Sequence, residues 1–310
     1  MWFAIVSFLT MKQAFAFSCH PIPLPRYVGE TTVAKKVRYS STLSATPEND
    51  SAYTELFDAI ESIAEELWDD EDIPRLESDT SREKQFCEGE AELPKDIPFA
   101  ERGEYFRREA LLGCPKAQHS YGLLLWSGFG GVDQNPEASA RFHAAAACQN
   151  HLDGLAVFGG CLRTGTGMPK KKKKSKNKKK PKTNTVALGL KAIDFCASFQ
   201  NPSGVNKQAA LLESNGNDFK AVELYKHCWK NGKANALLLF NLGWCLVNGQ
   251  GVERADRARG IDLWKEATKL APDEGSEEAA WNLYQEYVRD DPKEAQRWLD
   301  LAENLGYTSD

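Results

Sequence analysis

The chain has 310 residues, of which 42% are hydrophobic and eight are tryptophan; this excludes a wholly disordered protein and leaves two domains or one elongated array. The formal charge of −5 conceals a segregation, because ten lysines lie between Lys170 and Lys182 and without them the balance would be −15. The chain is therefore acidic with one basic insert, not uniformly mild.

Trp2 to Leu9 is an apolar run too short to span a bilayer, Lys12 is its only charge, and Ala14-Phe15-Ala16 places small residues before a cleavage point. Residues 1–17 are read as a signal peptide and set aside from the fold. Phe17 follows, and then a segment to Thr46 with eight Ser or Thr, four basic residues and one acid. This layout resembles the two-part plastid presequence of algae with secondary plastids, in which a phenylalanine follows the signal-peptide cut and a basic transit segment comes next. The resemblance makes residues 18–50 a disordered transit segment and implies an address in the plastid stroma. The alternative is an ordinary secretory signal, with the chain in the secretory pathway or endoplasmic reticulum.

Between Asn49 and Glu104 the balance swings to acid. Leu56, Ile60, Ile63, Ala64 and Leu67 recur at helical spacing after Ser51, a capping residue type, so 51–68 reads as an amphipathic helix whose partner the sequence does not disclose. Asp69 to Asp96 reads as a solvated linker with one short helix around Glu83 to Ala91. Together, residues 51–97 form an acidic helix plus linker. A further helix is expected from Pro98 through Tyr105, Phe106 and Ala110 to Leu112, with Gly113 as its stop.

From Gly113 a pattern is stated twice. Gly113 is followed by Ala117, Tyr121-Gly122, Gly128 and Gly130; Asn150 is followed at the same offsets by Gly154, Phe158-Gly159, Gly165 and Gly167. A small residue, a large residue backed by glycine, and a Gly-x-Gly break describe one helix with a close-packed face, ended by a turn with positive φ. Self-similarity at this period means stacked helical hairpins. The expected fold is all-α, an α-solenoid of antiparallel helix pairs over residues 98–306, whose product is a binding surface.

A second helix near Pro136 shows Ala138, Phe142, Ala145 and Ala146 on one side. With these residues the unit is similar to the Sel-one-like repeat, a relative of the tetratricopeptide repeat, and the resemblance spans about residues 98 to 306. It implies a non-catalytic scaffold that mediates protein-protein interaction. The second unit runs from Leu152 to Leu162 and through Gly165-Thr166-Gly167, but its second helix, with Lys191-Ala192 and Phe195, comes late. The lysine run is thus a disordered insertion at a turn, residues 168–185, where repeat arrays tolerate one. The third unit is looser: Gln208 to Glu213 as a short first helix, then a second capped by Asn217. The fourth recovers Leu242-Gly243 and Asn248-Gly249-Gln250-Gly251-Val252, and the fifth replaces its turn with Asp290-Asp291-Pro292.

Candidate chemistry is thin. No two of the eight cysteines stand at Cys-x-x-Cys spacing, so neither metal nor disulfide is expected, and no phosphate loop or nucleophile elbow occurs. His143, Cys148, His151 and Cys161 are the best cluster, and Cys148 and Cys228 occupy positions where the repeat wants a small packed residue. No cofactor or catalytic residue is assigned. Trp126, Trp264 and Trp298 take inward positions, whereas Trp229, Trp244, Trp281 and Tyr284 are not fixed by the pattern. The partner surface is placed on the first helices of the fourth and fifth units, at Asn235, Asn241, Trp244, Asn282 and Gln285. Two alternatives stand beside it. One is a nucleic-acid or anionic-membrane site made by Lys170, Lys171, Lys172, Lys173, Lys174, Lys176, Lys178, Lys179, Lys180 and Lys182, and the other is an enzyme of unrecognised type.

Overall fold

Proline and asparagine set the rhythm of the chain. In the computed structural model, which describes residues 47–68, 97–169, 184–270 and 274–307, helix after helix opens at an Asn or Asp cap, several with Pro in the first turn. Helix α1 is Pro47–Trp68 and α2 is Arg102–Leu111, preceded by a 3-10 turn at Phe99–Glu101. Five hairpins follow: α3 Pro115–Ser127 with α4 Pro136–Cys148, α5 Leu152–Thr164 with α6 Thr185–Ser198, and α7 Pro202–Ser214 with α8 Asp218–Lys230. The last two are α9 Ala236–Asn248 with α10 Arg257–Thr268, and α11 Ser276–Tyr287 with α12 Pro292–Leu305. No strand occurs among the described residues. The fold is an all-α solenoid of antiparallel pairs.

The caps are concrete. Asn135 accepts from the Ala138 amide at 2.9 Å, Asn201 from Gly204 at 2.9 Å, Asn235 from Leu238 at 2.9 Å and Asp256 from Arg259 at 3.0 Å, each meeting one of the amides that a helix start leaves unpaired. The first helices of units one, two and four stop at a left-handed glycine: Gly128 (φ 77°), Gly165 (φ 77°) and Gly249 (φ 72°). The turn that joins one unit to the next needs positive φ as well, and there Asn150 (φ 63°) and Gln200 (φ 57°) stand where Gly113 (φ 95°) does.

Helices of one hairpin touch through glycine. A Cβ on Gly122 would lie 2.8 Å from the His143 ring, one on Gly159 2.9 Å from the Gly189 carbonyl oxygen, and one on Gly243 2.7 Å from the Trp264 indole. First helices also pack on one another in order, α3 on α5, α5 on α7, α7 on α9 and α9 on α11, and so line one face of the array. Helix α1 has a partner after all. It lies across the second helices α4 and α6, and Leu56, Ile60, Ala64 and Leu67 join Ala140, Ala144, Ala147 and Phe195 in a common core. Phe57 meets Phe195 edge-on at 5.5 Å. Units three to five share a second core around Tyr225, Leu242, Leu263 and Trp264.

Several local readings change. Helix α1 begins at Pro47, so Ser51 lies inside it and is not its cap. Helix α2 starts at Arg102 because the Pro98 stretch forms a 3-10 turn first. Helix α7 runs from Pro202, six residues before Gln208: Asn201 caps it and Pro202 takes its first position, a start signal that outweighs the weak apolar period there. Asn217 makes no side-chain cap; its amide donates to the Asn215 carbonyl instead, at 3.3 Å. The presequence, the linker helix around Glu83 to Ala91 and the lysine run lie outside the described residues.

Candidate functional site

The face lined by the first helices encloses an open groove of about 360 Å³. Leu123 and Trp126 of α3, Val157 and Gly160 of α5, Ser203, Asn206 and Lys207 of α7, and Leu237 of α9 form its walls, with Glu274 at the rim. The repeat explains why these positions point inward. Leu123 and Gly160 directly follow the hairpin glycines Gly122 and Gly159, whose own faces turn to the second helix, so the next residue turns away from it.

Behind the wall at units one and two sits a polar cluster. His119 Nδ1 and His143 Nδ1 are 3.3 Å apart, so one carries the proton they share. His151 closes over His119, ring centroids 5.3 Å apart, and its Nδ1 accepts from the Gly154 amide, capping α5. Burial pushes His119 down to about 4, with His151 and Lys207 adding to the shift and Asp153 opposing it. Burial, then His119, Lys207 and His151, push His143 well below its ordinary range. Burial also lowers His151, against Asp153. Burial alone would raise Asp153, but the histidines and two hydrogen bonds outweigh it and its carboxyl falls below its ordinary value: Oδ1 accepts from Ser203 Oγ at 2.6 Å and from Asn201 Nδ2 at 3.0 Å. His143 is fully buried, lines the groove, and its Nε2 makes no hydrogen bond.

Among the described residues no group of three or more His, Cys, Asp or Glu is arranged to hold a metal ion. The His143 and Cys161 side chains both line the groove, whereas Cys148 is exposed, against its reading as a small packed residue. That reading fits Cys228, which is fully buried. Burial pushes the Cys161 thiol up, the reverse of what an activated thiolate requires. What the groove offers is shape, amide and hydroxyl side chains, the charges of Lys207, Arg163 and Glu274, and apolar surface.

The partner-surface residues expected from sequence separate. Asn241 Nδ2 donates to Asn206 Oδ1 at 3.2 Å, while Asn206 Nδ2 donates to the Asn235 cap oxygen at 3.4 Å, so Asn235 and Asn241 are braced by the groove residue Asn206. Trp244 follows Gly243 as Leu123 follows Gly122, and it is 44% exposed. Gln285 is exposed, and Asn282 is half-buried with its amide on the Glu278 carbonyl at 2.8 Å. The ten lysines lie outside the described residues. Trp126 overturns its sequence reading: it is 45% exposed on the groove, not core. It stands three residues beyond Leu123, on the same groove-facing side of α3. Trp264 is buried, and Trp298 is half-buried against the second core. The sequence pattern does not mark His119, Asp153, Asn206 or Lys207, because each is an ordinary polar residue until the stacking of α3, α5 and α7 brings Asn206 and Lys207 to the groove and His119 and Asp153 behind it.

The family model for the Sel1 repeat matches residues 115–151, 236–271 and 279–307. The chain carries Sel1 repeats. The matches fall on α3–α4, α9–α10 and α11–α12. Between them, the second Sel1-like unit is split by the lysine run and the third lacks the glycine behind its large residue. Similar solved structures include a Sel1 repeat protein from Oxalobacter formigenes, 17% identical with a TM-score of 0.42 over 67% of this chain and 85% of that one. An immunity protein from Pseudomonas aeruginosa is 16% identical with a TM-score of 0.42 over 76% and 82% of the two chains. A protective antigen from uropathogenic Escherichia coli that displays an SLR fold is 18% identical with a TM-score of 0.36 over 83% of this chain; the chain spans about half, 48%, of its length. No curated protein matches the chain. None of the helices among the described residues is long and apolar enough to cross a membrane.

Proposed function

We propose that this Sel1-repeat chain is a non-catalytic scaffold that seats a segment of a protein partner in the groove of its first helices. The observation that carries the reading is the groove itself: four successive first helices contribute to it, and Trp126 stands exposed on its wall, the type of aromatic anchor on which interfaces depend.

Gly160 gives a clean test. It lies within α5, and the atoms nearest to a Cβ there would be those of the Lys207 side chain, at 3.6 Å. Gly160→Phe therefore fills the groove without touching the core, and better helix propensity should hold or raise the melting temperature. Proteins that co-purify specifically with the parent chain from its own cell extract should be lost from the variant; an unchanged set contradicts the reading. The address is part of the same proposal: the stroma of a secondary plastid. A fluorescent reporter behind residues 1–50 should enter that plastid, and Phe17→Ala should hold it back, whereas a sugar on Asn49, an acceptor in Asn49-Asp50-Ser51, would favour the secretory route.

A further inference from the structure

Lys207 is a charged side chain in the wall of the groove. It stands on α7, its stem and ammonium over Gly160 of α5, half-buried, and it forms no ion pair or hydrogen bond among the described residues. A lysine in such a wall is ordinarily paired, since desolvating its ammonium without compensation is costly.

Its surroundings explain why no internal partner serves. Asp153, the carboxylate of the polar cluster behind the wall, is committed to Ser203 and Asn201 and faces His119 and His151. The histidines nearest Lys207, His119 and His143, are pushed toward the neutral form by burial and by Lys207 itself. Burial raises the Glu274 carboxyl above its ordinary value against the opposing pull of Lys207, and no ion pair joins the two. Arg163, also on the groove, adds a second positive charge one turn along α5 from Gly160. Beside these two cations the walls carry apolar side chains, Leu123, Trp126, Val157 and Leu237, together with the polar Ser203 and Asn206.

We propose that the groove selects a partner segment carrying an acidic side chain among apolar ones, with that carboxylate paired to Lys207 over Gly160. The proposal rests on the groove being the docking face. An apolar segment fills the walls, and its carboxylate supplies the partner that the fold withholds from Lys207. A single charge within an apolar sequence also separates this site from the lysine run, which would hold any polyanion without regard to sequence.

The test uses the whole chain and an array of immobilised octapeptides in matched pairs, each pair differing only by a central Glu or Gln among apolar residues. Among pairs that bind, the Glu member should be held about tenfold tighter than the Gln member. In Lys207→Met, which keeps the apolar stem, the two members should bind alike, and Lys207→Arg should restore the preference. Equal binding of Glu and Gln members by the parent chain overturns the acidic selectivity while leaving the groove as a docking face. A Glu preference that survives in Lys207→Met overturns the assignment to this lysine. Absence of binding by every pair, with the chain folded, overturns this proposal and the docking reading on which it rests.

Discussion

Gly122 has no room for a side chain. A Cβ would meet His143 Cε1 and Nε2 at 2.8 Å, and the imidazole is fully buried with its Nδ1 tied to His119, so it has nowhere to go. Gly122→Leu should cost about 1 to 3 kcal/mol in a denaturation measurement. Gly130 is constrained differently, by a φ of 67°; Gly130→Ala should also destabilise, through backbone strain. These two roles are legible in the sequence because a glycine beside a large residue and a Gly-x-Gly break recur at fixed offsets. Trp126 shows where that legibility ends. A tryptophan near the end of an amphipathic helix scores as core, and only the stacking of α3 against α5 reveals that it stands on the groove wall. The histidines give a pH signature. His119 has an ordinary value of 6.5 and a folded value of about 4, so the unfolded chain binds the extra proton between those limits. The stability it contributes is complete above pH 6.5 and is lost as the pH falls toward 4. Burial and Glu278 push Glu277 up to about 8, which works in the opposite sense, with stability lost as the pH rises from 4.5 toward 8. The comparison must therefore be made between parent and His119→Gln: thermal melts at pH 7.5 and 4.5 should show the variant losing less than the parent on acidification, by an amount on the order of 2 kcal/mol.

Among the elements, α1 carries the clearest consequence. Its periodicity was enough to announce a helix, but a stripe of Leu56, Ile60, Ala64 and Leu67 says nothing of what it covers. The answer lies some seventy or more residues along the chain, in the alanines of α4 and in Phe195 of α6. Small residues on α4 let α1 approach closely, and the burial of Ile60 is complete. Ile60→Ala should therefore cost about 2 to 5 kcal/mol, whereas Glu61→Ala, on the exposed side of the same helix, should change stability by less than about 0.5 kcal/mol. Equal effects in a urea titration would place α1 elsewhere. Helix α7 shows the converse lesson. Its length was set by Asn201-Pro202, and a reading weighted toward apolar period passed over that pair.

At the scale of the molecule, each unit buries its core only against its neighbours, so an insertion at a turn is tolerated when the helices on either side still meet. Helices α5 and α6 do meet, through Gly159 and Gly189, and α6 starts at its own Asn184 cap. Replacing residues 170–183 by a short Gly-Ser linker should therefore leave the melting temperature unchanged within about 2 °C, while removing any salt-sensitive binding of RNA or anionic vesicles. A cooperative loss of structure would mean that the run is not an insertion. The repeat and its hairpins were readable because packing imposes the same residue types again and again; the groove was not, because its side chains are under no such repeated constraint. The central claim is that partners dock on the face of the first helices, and site-specific photocrosslinking tests it most directly. A benzophenone side chain would replace Trp126 or Trp244 on first helices, or Phe219, which is 59% exposed on the second helix α8. Partner crosslinks at 126 and 244 and none at 219 are the predicted result; crosslinks at 219 with none at 126 or 244 would contradict it.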